Sequence, residues 1–256
     1  MQKARIIVTD APTLVAAIDA GHTRVKFGVY RVTDDKRLPV AQVTGSVMND
    51  EEFDWKTLSE HFVGSRGPHS LVTGSNRDKI ALLTRTWPVE FSPPLVLASK
   101  AEIPIRACVA EPERVGADRL LNGVAVNQIR QPRRPAIIID SGTAMTVDAL
   151  NSDGEFLGGA ILPGILMNAR GLNQFTTTLP LIDGREFLSR SPDAIGRNTE
   201  AAMASGLYWG HLGAARELFT RINEDLGGDA QCFLTGGAST ILKPFWPDAK
   251  WARALL

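Results

Sequence analysis

The chain has 256 residues, of which 44% are hydrophobic and 22% charged, enough to bury a substantial core and too apolar for wholesale disorder. Lys plus Arg equals Asp plus Glu at 28 each, so the net charge is zero. That balance removes the general electrostatic reason to expect nucleic-acid or anionic-membrane binding.

Residues 1–13 read as a lead-in closed by Pro12, too short in its apolar part for a signal-peptide core. From Leu14 to Val32 the pattern is strand, turn, strand, with Asp19-Ala20-Gly21-His22-Thr23 between the arms. In the second arm Val25, Phe27 and Val29 alternate with Arg24 and Lys26. Apolar residues at helical spacing (Phe53, Trp55, Leu58, Phe62) predict a helix over 50–63. A short strand over 70–75 and a helix over 76–86 follow, ended by the proline-rich stretch Pro88–Pro94.

Residues 118–129 show one apolar helical face, and Gln131-Pro132-Arg133-Arg134-Pro135 cannot continue that helix. This break marks the expected lobe boundary, with one lobe over 14–130 and a second over 131–256. Ala136–Ile139 reads as a buried central strand, leading into Asp140-Ser141-Gly142-Thr143-Ala144 and a further strand to Leu150. Beyond it come a turn at Gly158-Gly159, a long helix from Thr199, and a strand into Thr235-Gly236-Gly237. No apolar run approaches the ~20 residues of a membrane span. Cys108 and Cys232 lie in unrelated contexts, which predicts free thiols and a cytoplasmic protein.

An apolar strand running into Asp-x-Gly and a hydroxyl-bearing turn thus occurs twice, at Asp19 and at Asp140. The repetition predicts a duplicated α/β architecture of two similar lobes. Glycine lets such a turn approach an anion, successive N–H groups and the Thr hydroxyl can cradle phosphate oxygens, and the carboxylate can hold hydrated Mg²⁺. A single copy also fits an ordinary hairpin turn. Two copies at equivalent places favour a clamp on nucleotide phosphates.

Asp19-Ala20-Gly21-His22-Thr23-Arg24-Val25-Lys26, Asp140-Ser141-Gly142-Thr143-Ala144 and Thr235-Gly236-Gly237-Ala238 resemble the phosphate and adenosine motifs of the acetate and sugar kinase/Hsp70/actin superfamily. Within it, Gly116-Ala117-Asp118-Arg119 resembles the Gly-x-Asp-Arg motif of the type III pantothenate kinases. Gly158-Gly159, Pro163-Gly164 and Gly196-Arg197-Asn198-Thr199 match in the same order.

The resemblance implies a duplicated actin-like (ribonuclease H-like) fold with the nucleotide cleft between its lobes. It also implies ATP-dependent phosphorylation of pantothenate to 4′-phosphopantothenate, the first step of coenzyme A biosynthesis. Asp19–Lys26 would bind ATP phosphates, with Asp19 also orienting Mg²⁺. Asp118 would be the general base, Gly116–Arg119 and Thr199 would contact pantothenate, and Arg119 would face its carboxylate. Asp140 would bind a monovalent cation, K⁺ or NH₄⁺. Thr143 would contact ATP, and Gly236 and Gly237 would lie near the adenosine. A homodimer is implied as well, and no nucleic-acid or membrane partner.

Taken by themselves, Asp118 also fits a helix N-terminal residue, Arg119 a surface cation, Thr199 an N-cap and the glycine pairs plain turns. Asp148 reads as a strand-face carboxylate outside the site, and His61, His69 and His211 as structural or surface residues. Two positions depart from the family pattern. His22 stands where Asn is usual, and Ala107–Pro112 lacks the aromatic residue common before Gly-x-Asp-Arg. The alternatives are a kinase of the same fold acting on another small hydroxy compound, or a weakly catalytic nucleotide-binding regulator.

Overall fold

The computed structural model describes residues 13–32, 39, 41–61, 69–97, 100–183 and 190–251. All but the last residue of the expected lead-in lies outside these, as do residues 62–63 of the first predicted helix. The chain separates into two compact units. The first runs to Ile103 and includes Gly116–Asp118; the second takes Pro104–Val115 and the chain from Arg119 onward.

In the first unit, β1 (Thr13–Ala20), β2 (Arg24–Val32) and β3 (Ala41–Met48) form an antiparallel meander. β4 (His69–Gly74) joins β1 in parallel and β5 (Leu95–Val96) joins β4, giving the order β3-β2-β1-β4-β5. Ala16, Ile18, Val25, Val29 and Val72 from the sheet pack with Leu58 and Leu83 from α1 (Trp55–Glu60) and α2 (Arg77–Arg85).

The helix expected over 50–63 is shorter at its start because the Asp54 side chain accepts from Thr57 N–H at 3.1 Å. That cap fixes the N-terminus one residue before Trp55 and leaves the acidic run Asp50–Glu52 outside. Phe53 still joins the core, through an aromatic chain linking Phe27, Phe53, Trp55, Trp87 and Phe91.

In the second unit, β6 (Ala136–Ser141), β7 (Ala144–Leu150) and β8 (Phe156–Pro163) form another antiparallel meander. β9 (Gln231–Thr235) joins β6 in parallel and β10 (Lys250–Trp251) joins β9. The order β8-β7-β6-β9-β10 repeats that of the first sheet strand for strand, as the duplicated motif predicts. Ile137, Ile138 and Ile139 have no solvent exposure, which suits an apolar run in the middle strand of a sheet.

Around this sheet lie α3 (Ala117–Ile129), α4 (Ile165–Gln174) and α5 (Thr199–Asp225). From Arg119 onward α3 belongs by its contacts to the second unit, although the break at 131–135 would group it with the first. Its Gly123 permits close approach there: a Cβ would lie 2.6 Å from the Ile105 Cδ1. Among the described residues no helix is long and apolar enough to cross a membrane, and both cysteines are unpaired thiols.

Candidate functional site

Each Asp-x-Gly motif sits where its unit's middle strand ends. Asp19 is the second-last residue of β1 and Asp140 the second-last of β6. Asp19 lies opposite Lys26 on β2 and Thr73 on β4; Asp140 lies opposite Thr146 on β7 and Thr235 on β9.

The residue after Thr73, and likewise the one after Thr235, is a glycine with positive φ, +139° at Gly74 and +89° at Gly236. A Cβ on Gly74 would lie 2.2 Å from the Ala20 carbonyl oxygen, and one on Gly236 would lie 2.5 Å from both the Ser141 carbonyl and the Asp140 carboxylate. No side chain fits at either place. Two residues further on, Asn76 N–H donates to Ala20 O at 3.0 Å and Ala238 N–H to Ser141 O at 2.9 Å. Gly236, expected near the adenosine, therefore packs directly on the turn that follows Asp140. Thr73-Gly74 is its counterpart in the first unit. The repeated Val72-Thr73-Gly74 and Leu234-Thr235-Gly236 carried that signal in the sequence, where the first copy reads only as a strand end.

In the first motif, Asp19 is half-buried and Lys26 lies 3.7 Å from it. Gly21 N–H donates to Arg24 O at 3.0 Å and closes the turn. Ala20 and Val25 are buried in the core, so they shape the loop from within, whereas His22, Arg24 and Lys26 are exposed. The His22 side chain points no hydrogen bond into the loop; the contact it makes runs through its backbone carbonyl, to Asn49 Nδ2 at 2.7 Å.

In the second motif, Thr143 and Gly142 are exposed, and Gly142 N–H donates to Ala144 O at 2.9 Å. Asp140 accepts at Oδ2 from the Asn122 amide of α3 at 2.9 Å, and Asn122 is buried. Ser141 Oγ meets His211 Nε2 of α5 at 2.8 Å. His211 is 3% exposed and its Nδ1 has no hydrogen-bond partner. Burial holds its imidazole below the usual range, because a charged ring would be poorly solvated there. His211 thus joins the loop, where the sequence showed it no partner.

The Gly-x-Asp-Arg stretch opens α3. Gly116 and Ala117 are half-buried and Asp118 stands exposed in the first turn. Arg119 donates from Nε to Asp148 Oδ1 at 2.9 Å and pairs with the same oxygen through Nη2. Thr146 Oγ1 donates to the other oxygen at 3.0 Å, and the Arg119 guanidinium sits 5.4 Å above the Phe156 ring.

Asp148 has no exposure at all. It faces Gly159 across the β7–β8 ladder, where a Cβ would meet Val147 O at 2.0 Å and Asp148 Oδ1 at 2.9 Å. The Gly158-Gly159 pair, expected as a turn, instead lies within β8, and Asp148, read from sequence as outside the site, holds Arg119 of the Gly-x-Asp-Arg stretch. Thr146, two residues before Asp148 on the strand, was its one local trace; the burial that demands a charged partner is visible only in the fold.

Thr199 is the first residue of α5 and exposed. The cap is Asn198, which accepts from Ala201 N–H at 2.8 Å, so the N-cap reading of Thr199 is replaced by one residue's shift. A cavity of about 400 Å³ lies alongside, lined by Leu181, Ile182, Asp183, Asn198, Glu200 and Ala204 among others. Among the described residues no three His, Cys, Asp or Glu gather as a metal cage. Asp19 and Asp140, each at the strand end of its own unit, offer carboxylate oxygens, the donor type a hard cation takes alongside phosphate and water oxygens.

The profile of the type III pantothenate kinase family matches residues 15–221. The chain is 32% identical over 244 residues to the type III pantothenate kinase of Moorella thermoacetica, covering 90% of each chain. It is 38% identical over 246 residues to that of Gluconobacter oxydans, covering 91% of this chain and 86% of the other. Against the enzyme of Paramagnetospirillum magneticum the identity is 32% over 243 residues, with 89% and 87% covered.

Proposed function

The chain belongs to the type III pantothenate kinase family, and from that premise we propose how its residues carry the reaction. The enzyme phosphorylates pantothenate with ATP, in the biosynthesis of coenzyme A. The observation that carries the reading is the duplicated turn: two Asp-bearing, glycine-packed loops in identical register, each fit to hold phosphate oxygens on backbone N–H groups.

Asp118 takes the proton from the primary hydroxyl of pantothenate as the hydroxyl oxygen bonds to the γ-phosphorus. The bond from that phosphorus to the β,γ-bridging oxygen breaks and ADP leaves. A loose transition state asks the protein mainly for position and charge, so one exposed carboxylate at a helix start suffices as base. Asp19 and the loop to Lys26 hold the ATP phosphates, with Thr143 contributing from the second loop and Gly236 and Gly237 giving the adenosine an uncluttered surface. Asp19 would hold Mg²⁺, which would supply charge neutralisation at the phosphates. Asp140, whose carboxylate the Asn122 amide already orients, would hold a monovalent cation, K⁺ or NH₄⁺.

Gly116, Ala117 and Thr199 contact pantothenate. Arg119 meets the substrate from a position fixed by Asp148, so its charge is shared between the two carboxylates. A homodimer is supported by apolar side chains left exposed on the edge strand β8 and on and just after α4, among them Ile161 at 64% and Phe175 at 83%. Two unpaired thiols suit a reducing cytoplasm.

The test is ADP release by the purified protein with ATP, Mg²⁺ and pantothenate, in K⁺ and in Na⁺ side by side. Release that needs both pantothenate and K⁺ is the expected result. ATP binding without pantothenate-dependent release in either salt would defeat the reading.

A further inference from the structure

The third strand of each meander ends beside its own unit's phosphate turn, and the next residue is Asn49 in the first unit and Gly164 in the second. Both donate a backbone N–H to the carbonyl of the turn's threonine: Asn49 to Thr23 at 3.2 Å, Gly164 to Thr143 at 3.0 Å. The side chains differ. At Gly164 a Cβ would lie 2.4 Å from both Gly142 O and Thr143 O, so that turn packs on bare backbone. Asn49 instead sends Nδ2 to Gly21 O at 3.0 Å and to His22 O at 2.7 Å. One residue thereby engages the carbonyls of Gly21, His22 and Thr23.

In a trans peptide the carbonyl and the following N–H point to opposite sides. Drawing those carbonyls toward Asn49 turns the N–H groups of His22, Thr23 and Arg24 the other way, as a row of donors suited to an anion. Asn49 is itself braced from α2: its carbonyl accepts from Lys79 Nζ at 3.1 Å, and the same ammonium reaches Glu51 O at 3.4 Å. Lys79 is 8% exposed. Asn49 Oδ1, meanwhile, is buried with no hydrogen-bond partner. An orphaned acceptor is a burden on folding, so the amide is explained by what its two donor hydrogens hold.

We propose that Asn49, braced by Lys79, is the positioning residue of the first phosphate loop, fixing its peptide planes so that their N–H groups face the nucleotide phosphates. The proposal rests on the kinase reading only for the identity of the anion.

Asn49→Asp keeps the shape and replaces two donor hydrogens with an acceptor facing two carbonyls. Calorimetry with Mg²⁺·ATP should show affinity weakened about tenfold or more, with the KM for ATP rising in step and the KM for pantothenate within about twofold. Lys79→Met keeps the apolar stem and should shift ATP affinity about threefold the same way; it carries the same readout should Asn49→Asp not fold. Folded variants with wild-type ATP affinity would overturn the proposal, and so would an equal loss for ATP and pantothenate, which marks general loosening. Wild-type protein without pantothenate-dependent turnover would defeat the kinase reading alone, because the ATP affinities would still decide the role of Asn49.

Discussion

The two units repeat one backbone design and surround it differently. Asp19 and Asp140 share a register to the residue, each opposite a threonine whose following glycine leaves no room for a Cβ. Around that frame the first unit has Ala20, Gly28 and Thr44, where the second has Ser141, Asp148 and Gly159. The second copy has thus gathered buried polar groups, which pair with His211, Arg119 and Thr146. The first keeps an apolar interior and braces its turn from Asn49. The backbone repeats because the close approach of turn and glycine tolerates no substitution. Side chains one layer away are under no such constraint and have diverged.

The largest test lies outside the repeat, on α3, which follows β5 and has no described counterpart after β10. Asp118→Asn should lower kcat by about 10³-fold while the Kd for ATP stays within about threefold, since the amide cannot take the proton but leaves both Asp-x-Gly turns alone. Near-normal turnover would move the base elsewhere.

Next is the pair present only in the second unit. Asp148→Asn leaves Arg119 without its buried counter-charge and should cost about 3 kcal/mol of stability in urea unfolding, together with a rise in the KM for pantothenate. A loss under about 0.5 kcal/mol would mean that Arg119 finds solvent or another partner, and the units would differ less than their side chains suggest.

The buried imidazole gives a pH test. Because burial lowers the folded value of His211, the unfolded chain binds the proton first as pH falls below about 6.5, and each further pH unit removes up to about 1.4 kcal/mol until the folded value is passed. His211→Gln should flatten that fall when unfolding midpoints are compared at about pH 7.5 and about pH 5.5. An unchanged slope would mean that other groups carry it.

The smallest effect is expected at His22→Asn, with the KM for ATP within about threefold of wild type. The residue contributes its backbone carbonyl to Asn49 and its side chain is exposed. A change beyond about 100-fold would give the imidazole a role of its own and separate the two turns further.

The strands β1, β2, β4, β6, β7 and β9, the two Asp-x-Gly turns and α3 were legible because their signals are local, whereas β3, β5, β8 and β10 emerged only in the fold. Alternation over Arg24–Val29, the apolar run Ala136–Ile139 and the glycine after each aspartate are properties of a few adjacent residues. The short α1 was read too long because apolar spacing continues through Phe53 while the Asp54 cap sets the true start. Asn122, Asp148 and His211 were missed or set aside for the opposite reason. Their partners are 18, 29 and 70 residues away, and nothing at the positions themselves names those partners.

By itself the sequence determined the two Asp-x-Gly turns, the strands that carry them and the family to which their order belongs. Those follow from the spacing of side chains along the chain and from the few residues that can occupy a tight anion-binding turn. The tertiary structure alone decided what holds each turn in place: Asn49 and Lys79 at the first, Gly164, Asn122 and His211 at the second. Hydrogen bonds between distant residues exist only once strand register and helix packing bring donor and acceptor within about 3 Å, and neither is a local property of the chain.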